Sequence, residues 1–164
     1  MLKNKRVFDA NADGGGAFGD LPEWDLSDLY TGEDAPELWR DINWLERSCS
    51  SFSDDYKGNL INLDAKELLE AVQRYEAIDV VAGRIMSFAG LRYYQLTSDP
   101  TRTKFMADMQ DKLTALTTSL VFYGLEFNRI DEKSLSNLLE KNIELARYKP
   151  VFDRMRAMKP YQLS

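Results

Sequence analysis

The sequence predicts an all-α fold, an antiparallel helical bundle built around a long helical hairpin. Apolar residues recur at helical spacing over two stretches, about 64–97 and 100–128, and only a short break separates the stretches. In that break Asp99 is placed to cap the second helix, and Pro100 suits its first turn, where no amide partner is needed. Because the connection is short, we expect the two helices to be antiparallel neighbours.

The first arm of the hairpin carries two rows of apolar or small side chains. The second row begins at Ile78, so we expect the later half of the arm to be buried on more than one side. Gly83 and Gly90 share a face, which indicates either a closely packed neighbouring helix or a kink or break between Asp79 and Gly83. The first row is Ala65, Leu68, Val72, Tyr75, Ala82, Met86, Ala89, Tyr93 and Leu96; the second is Ile78, Val81, Ile85 and Phe88.

The second arm has an unbroken 3,4 spacing of apolar residues over three heptads, which favours one continuous helix. This row is Met106, Met109, Leu113, Leu116, Leu120, Tyr123 and Phe127. In the first arm, Asp79 interrupts the apolar face. A structural ion pair with Arg84 or Arg129 is favoured for it over a catalytic acid, because perturbed carboxylates also occur in structural networks.

The segment before the hairpin predicts an irregular stretch pinned by Trp24, followed by one amphipathic helix. Asp34 and Glu37 have capping-box spacing, and Lys57-Gly58 gives the helix a cationic end and a left-handed cap. A second capping box, Asp64 with Glu67, opens the hairpin. The predicted buried face is Leu38, Ile42, Leu45, Cys49, Phe52 and Tyr56.

Two shorter helices are predicted after the hairpin. Asp131 is a candidate N-cap, and Ile130 before it can pack against Leu135. Lys149-Pro150 starts the last helix, and Lys159-Pro160 stops it. The predicted apolar faces are Leu135, Leu138, Leu139 and Ile143 in one helix, and Val151, Phe152, Met155 and Met158 in the other.

The domain organisation is expected to be simple. Residues 1–20 contain four glycines and no helical periodicity, which predicts a flexible leader. Residues 14–19 match G-x-G-x-x-G, but no strand precedes them, so the match is interpreted as accidental. Residues 21–164 are expected to form a single helical domain, and Ser164, a natural N-cap with no helix after it, indicates that the domain is truncated there.

Composition excludes several classes of function. An apolar fraction of 44% supports a real core, while the net charge of −6 without a Lys/Arg cluster disfavours nucleic acid as a partner. No apolar run approaches the length of a membrane span, and the N-terminus lacks the apolar core of a signal peptide. We therefore expect a soluble, cytoplasmic protein without a membrane partner.

Catalytic chemistry is not evident in the sequence. It has no histidine, so neither a hydrolytic triad nor a histidine-containing metal cluster can form. The single cysteine, Cys49, lies on a helical apolar stripe and is expected to be a buried structural thiol. We expect no catalytic, metal or cofactor-binding residue in this segment, which should be inert alone.

Four short motifs, in order, resemble the N-terminal region of oligoendopeptidase F, a family of zinc peptidases related to thimet oligopeptidase. They are Trp24-Asp-Leu-Ser-Asp-Leu-Tyr30, Tyr56-Lys-Gly-Asn-Leu60, Tyr93-Tyr-Gln-Leu-Thr-Ser-Asp-Pro100 and Lys159-Pro-Tyr-Gln-Leu-Ser164. Each motif is a turn, cap or packing signature, so order and spacing carry the resemblance. Tyr161 stands where the family often has histidine, and the glycine-rich leader has no counterpart in the family.

The resemblance implies a helical lobe that forms part of the wall of a channel for oligopeptide substrates. It implies zinc in the parent enzyme, bound by His-Glu-x-x-His and a later Glu in a C-terminal catalytic domain that is the expected partner. Tyr93, Tyr94, Tyr161 and Gln162 are the candidates for peptide or interdomain contact, with packing in the core or rim as the alternative for the first two. Self-association through the exposed domain interface is a further expectation. The alternative function is a free-standing helical interaction module without catalysis.

Overall fold

The computed structural model describes residues 24–162 and confirms the all-α fold. Within those residues there are seven α-helices and no strand. The helices are α1 Pro36–Tyr56, α2 Ala65–Gln95, α3 Pro100–Thr117, α4 Val121–Phe127, α5 Glu132–Lys141, α6 Ile143–Ala146 and α7 Lys149–Ala157. Short 3-10 turns cover Leu60–Asn62, Thr118–Leu120 and Lys159–Tyr161. The predicted leader at 1–20, with its glycine motif at 14–19, lies outside the described residues.

Helices α2 and α3 form the predicted hairpin and pack against each other along their lengths. The Asp99 carboxylate accepts from the backbone N–H of Thr101 at 2.8 Å and of Arg102 at 3.4 Å, and Pro100 is the first helical residue, as the sequence predicts. Helix α2 is continuous over 31 residues, so a break near Gly83 is ruled out. The hairpin therefore supplies the long axis of the bundle.

The prediction of one continuous second arm through residue 128 is wrong, because a 3-10 turn separates α3 from α4. The hydroxyls of Thr114, Thr117 and Thr118 each donate to the carbonyl four residues earlier, at 2.7–2.9 Å. Ser119 donates to the carbonyl of Leu116 at 2.9 Å. Such side chains compete with backbone amides for helix carbonyls and bend the helix. The apolar spacing persists across the turn, so Leu120 and Phe127 are still buried.

Helix α1 buries every residue of its predicted face. The six side chains are at most 7% exposed, and Phe52 is fully buried. The Phe52 ring lies 4.8 Å from the ring of Tyr56 and 5.7 Å from that of Tyr123, centroid to centroid. Cys49 is also buried, and burial raises the pKa of its thiol, as expected of a structural cysteine. Helix α1 is thus enclosed by α2 and the α3–α4 junction.

The two predicted capping boxes have opposite outcomes. At Asp64 the box is complete, since its carboxylate accepts from the N–H of Glu67 at 2.9 Å and the Glu67 carboxylate accepts from the N–H of Asp64 at 2.9 Å. At α1 the prediction is wrong, because the N-cap is Ala35 and no side chain caps it. The Glu37 carboxylate instead accepts from the Thr31 hydroxyl at 2.7 Å, which ties the preceding loop to α1. Gly58 takes the predicted left-handed conformation, with φ 84°.

Residues before α1 are anchored by Tyr30, so the prediction that Trp24 pins them is wrong. Trp24 is 68% exposed, whereas Tyr30 is 2% exposed. The Tyr30 hydroxyl donates to Asp41 at 2.9 Å and accepts from the Nε of Arg84 at 3.1 Å. Arg84 is also ion-paired with Asp41. Tyrosine anchors better here because its ring is buried while its hydroxyl bonds to Asp41 and Arg84.

The predicted partners of Asp79 and the glycines of α2 need correction. Asp79 is exposed on α2, and its candidate partner Arg84 is held by Asp41. Gly83 is exposed, and an added Cβ would meet nothing within 4 Å, so no helix approaches closely there. At Gly90, which is buried, the nearest atom to such a Cβ is Cε2 of Tyr94 at 3.9 Å, in the same helix. Close helix approach therefore explains neither glycine.

The C-terminal helices pack on α2 and α4 but leave more of their surface open. Asp131 caps α5 as predicted, accepting from the N–H of Ser134 at 2.9 Å, and Ile130 and Leu135 are both buried. Ile143 is 80% exposed, against prediction, because the chain restarts as α6 and buries Leu145 instead. In α7 only Phe152 of the predicted face is fully buried.

A ring pair and a carboxylate are among the contacts that attach α7 and α4 to the rest of the molecule. The rings of Phe152 and Phe127 lie 4.6 Å apart, centroid to centroid. The Glu126 carboxylate accepts from the backbone N–H of Gly58 at 2.8 Å and of Leu60 at 3.4 Å, which joins α4 to the α1–α2 connection. Across the described residues, every helix is too short or too polar to traverse a lipid bilayer.

Candidate functional site

Tyr93 and Tyr94 lie in the last turn of α2, at the hairpin end of the bundle. Tyr94 is 71% exposed while Tyr93 is half-buried, so one of the pair leaves the apolar stripe, as the spacing requires. Their ring centroids are 5.3 Å apart, with an interplanar angle of 59°. Tyr94 therefore presents an aromatic face to any partner at this end, and Tyr93 supports it.

Tyr161 and Gln162 follow α7 at the opposite end of the described chain. Tyr161 is 80% exposed, and the backbone N–H of Gln162 closes the last 3-10 turn by donating to Lys159 at 3.2 Å. Three more large apolar residues of this segment are exposed by half or more. We call the four exposed residues the C-terminal surface: Ile143, Val151, Met158 and Tyr161.

The structure does not bring the two predicted pairs together. Among residues 24–162, no aromatic contact links Tyr93 or Tyr94 with Tyr161. Tyr148, just before α7, donates to the Glu76 carboxylate of α2 at 2.7 Å. Glu76 lies about 17 residues, roughly 25 Å along the axis, before Tyr93. The pairs are therefore candidates for two different contacts.

A polar pocket at the turn of the hairpin was not predicted from the sequence. We call it the hairpin-turn pocket; its volume is about 260 Å³, and its walls include Trp24, Tyr30, Arg92, Gln95 and Arg102. The side-chain amide of Gln95 donates to the Trp24 carbonyl at 2.9 Å, which holds the wall in place. Arg92 and Arg102 are ten residues apart on different helices, so only the hairpin geometry reveals that they meet.

Among the described residues, the groups with altered pKa include several tyrosines, the Cys49 thiol, two arginines and three carboxylates that accept hydrogen bonds from nearby residues. Burial, followed by the hydrogen bond to Asp41, raises the pKa of Tyr30 to about 12. Burial raises the pKa of Tyr123 and Tyr75, and the hydrogen bond to Glu76 raises that of Tyr148. These tyrosines stay protonated at neutral pH, so they can donate hydrogen bonds but cannot act as bases there.

Metal-binding chemistry is not assembled by the described residues. Between residues 24 and 162, no three His, Cys, Asp or Glu side chains are grouped so as to hold a metal ion. Tyr94 and Tyr161 offer exposed aromatic surface, and the partly buried Arg92 and Arg102 offer cationic donors in the hairpin-turn pocket. These are properties of binding surfaces.

The described residues form a helical lobe with exposed aromatic or apolar side chains at the hairpin turn and in the C-terminal segment. A family model described as oligopeptidase F, for the N-terminal part of M3 peptidases, matches residues 126–164, about a quarter of the chain. Neither the curated proteins nor the solved structures compared with the chain include a significant match. The family match confirms the resemblance to the N-terminal domain of oligopeptidase F over residues 126–164.

Proposed function

We propose that this chain is the N-terminal helical lobe of a zinc-dependent oligoendopeptidase that hydrolyses short peptides. In this proposal the lobe forms part of the wall of the substrate channel, and a C-terminal catalytic domain supplies the zinc site. The observation that carries the proposal is the oligopeptidase F match at residues 126–164. We also propose a cytoplasmic location for the lobe and for the parent enzyme.

The residues present do not fit a zinc site of the His-Glu-x-x-His type. The sequence contains no histidine, and the carboxylates with a clear structural role cap helices or form ion pairs, as Asp64 and Asp41 do. The zinc ligands and the general base of the proposed parent therefore come from outside this chain. What this chain would contribute is shape, by restricting access to the channel and positioning the peptide.

The C-terminal surface supports contact with a catalytic domain. It lies inside the family-matched segment, and its four side chains are between 51% and 80% exposed. Exposed apolar residues are costly to leave in water, so four of them between residues 143 and 161 favour a contact with another domain. Tyr161 and Gln162 are the residues proposed to reach that domain, and Tyr94 the residue proposed to face peptide or domain at the other end.

The direct test is the coding sequence after Ser164. The proposal expects an open reading frame of several hundred residues that contains His-Glu-x-x-His. A stop codon soon after Ser164 would instead favour a free-standing helical interaction module. As a biochemical arm, the isolated chain should bind no stoichiometric zinc and cleave no oligopeptide after protease-free repurification; persistent cleavage would contradict the assignment.

Substitutions in the longer protein test the role of the C-terminal surface. Val151→Asp and Met158→Asp should lower kcat/KM for an oligopeptide by tenfold or more, because a buried charge is costly at an apolar interface. Val80→Asp is the matched control, since Val80 is 64% exposed on α2, outside the family-matched segment. Equal losses in all three variants, or none in the first two, would exclude this surface as the interdomain contact.

A further inference from the structure

The hairpin-turn pocket contains two guanidinium groups whose hydrogen bonds are long and incomplete. Arg92 donates to Glu33 at 3.4 Å and to Gln95 at 3.4 Å, and its buried Nε has no partner among residues 24–162. Arg102 donates to the Arg92 carbonyl at 3.3 Å and to the same Gln95 oxygen at 3.4 Å. The two guanidinium groups share one amide oxygen. Each has five N–H donors, and some of these donors have no partner among residues 24–162.

The carboxylates around these arginines satisfy them poorly. Asp99 lies 3.6 Å from the Nε of Arg102, but its other oxygen caps α3 through the N–H of Thr101 at 2.8 Å. Asp25, on the pocket wall, accepts from the N–H of Ser27 at 2.9 Å. Charge-assisted bonds between guanidinium and carboxylate are typically about 2.7–2.9 Å long and often bidentate. The Glu33 and Asp99 ion pairs are longer, so an incoming carboxylate with better geometry can compete with them for the two guanidinium groups.

Size and lining indicate which carboxylate fits. A cavity of about 260 Å³ holds the end of a chain and not a folded surface. The arginine side chains are 31% and 21% exposed, so a group bound between them is partly withdrawn from water, where ion pairs are stronger. Trp24, 68% exposed at the rim, offers a flat apolar face to the residue that carries the carboxylate.

We propose that the hairpin-turn pocket binds the terminal carboxylate of a short peptide through Arg92 and Arg102. The pocket then holds one end of a peptide and limits its length on that side. The choice of a peptide as the source of the carboxylate rests on the proposed function above. The donor geometry of the pocket is independent of that function.

The test is an NMR titration of the isolated chain that follows the indole N–H signal of Trp24. Trialanine with a free C-terminus should shift this signal saturably, and the same peptide with a C-terminal amide should bind about tenfold more weakly or worse, since it lacks the anionic partner. Arg92→Gln and Arg102→Gln should each weaken free-acid binding about tenfold. The matched control is Arg129→Gln, which removes an exposed arginine outside the pocket and should leave the affinity unchanged.

Several results would overturn the proposal. Equal binding of acid and amide, equal loss in the Arg129 variant, or phosphate competing far better than acetate would each exclude a carboxylate site of this kind. Glu23 adjoins the reporter residue Trp24 in sequence and carries a carboxylate of its own. Peptide binding should be retained in Glu23→Gln, and its loss would count against the proposal. If one arginine variant unfolds by circular dichroism, the other carries the test. A positive titration together with a stop codon after Ser164 would support the carboxylate pocket and reject the proposed parent enzyme. A negative titration together with a long reading frame containing His-Glu-x-x-His would reject the pocket and support the parent enzyme.

Discussion

Helices α1 and α7 have the same kind of apolar spacing, yet one is enclosed and the other half open. All six predicted core residues of α1 are buried, whereas α7 buries Phe152, half-buries Met155 and exposes Val151 by 51%, and its C-cap Met158 is 57% exposed. The difference lies in the neighbours, since α1 packs on α2 and the α3–α4 junction while α7 packs on α4 through the Phe127 ring. The comparison teaches that spacing predicts an apolar face, and the surrounding elements decide whether it is covered.

The largest expected effect comes from the enclosed helix. Phe52→Ala should lower the free energy of unfolding by about 3–5 kcal/mol, because it removes a fully buried ring and leaves a cavity. Urea unfolding followed by circular dichroism measures this. The matched variant Val151→Ala on α7 should cost less than about 1 kcal/mol, since half of that side chain is already in water. Similar losses in both variants would contradict the contrast between the helices.

The polar network beside α1 gives a pH-dependent prediction. Burial raises the pKa of Tyr30 to about 12, above its ordinary value of 10.0, so the unfolded chain loses this proton first as pH rises. The stability that the network contributes is therefore fully present below pH 10 and is lost as pH rises through the folded pKa.

The measurement is the free energy of unfolding between pH 9 and 12. The parent chain should lose stability more steeply than Tyr30→Phe, and the difference in slope should approach one proton. The other buried tyrosines remain in both proteins, so they cancel in the difference. Parallel slopes would show that the Tyr30 hydroxyl is not held by Asp41 and Arg84.

The caps provide a smaller effect with a built-in control. Asp64→Ala should destabilise the chain by about 1 kcal/mol, because it removes two accepted backbone hydrogen bonds at the start of α2. Asp34→Ala should change stability by less than about 0.5 kcal/mol, since Asp34 is exposed and does not cap α1. If urea unfolding shows the same destabilisation for Asp64→Ala and Asp34→Ala, then Asp34 caps α1 as the sequence predicts.

The smallest effect is expected on the open face of α7. Met158→Ser should leave the free energy of unfolding within about 0.5 kcal/mol of the parent chain, because the side chain is 57% exposed. If the C-terminal surface causes self-association, the same variant should also reduce light scattering at high concentration. A loss of stability above 1 kcal/mol would mean that α7 is more enclosed than its exposure indicates.

Features that depend on local spacing could be predicted from the sequence. The all-α fold, the buried face of α1, the Asp64 capping box and the start of α3 at Pro100 are all set by residues within one or two turns of each other. The match at residues 126–164 likewise confirms a resemblance read from short motifs.

Features that depend on competition between distant partners could not be predicted. The Glu37 carboxylate had two possible donors, and Thr31, six residues earlier, takes it from the expected cap. Arg84 had Asp79 on its own helix, but Asp41 of α1 holds it. The hairpin-turn pocket follows the same rule, since Arg92 and Arg102 meet only because α2 and α3 turn back on each other. Nothing in their spacing marks them as neighbours.

The carboxylate of Glu126 has a consequence for how the chain can be divided. It accepts from the N–H groups of Gly58 and Leu60, more than sixty positions earlier, at the first residue of the family-matched segment. Cutting the chain at that residue would remove the acceptor of two backbone N–H groups beside α1. It would also separate Phe127 from the aromatic side chains that precede it. Proteolytic dissection should therefore yield no autonomous C-terminal fragment, and both halves should melt in one cooperative transition.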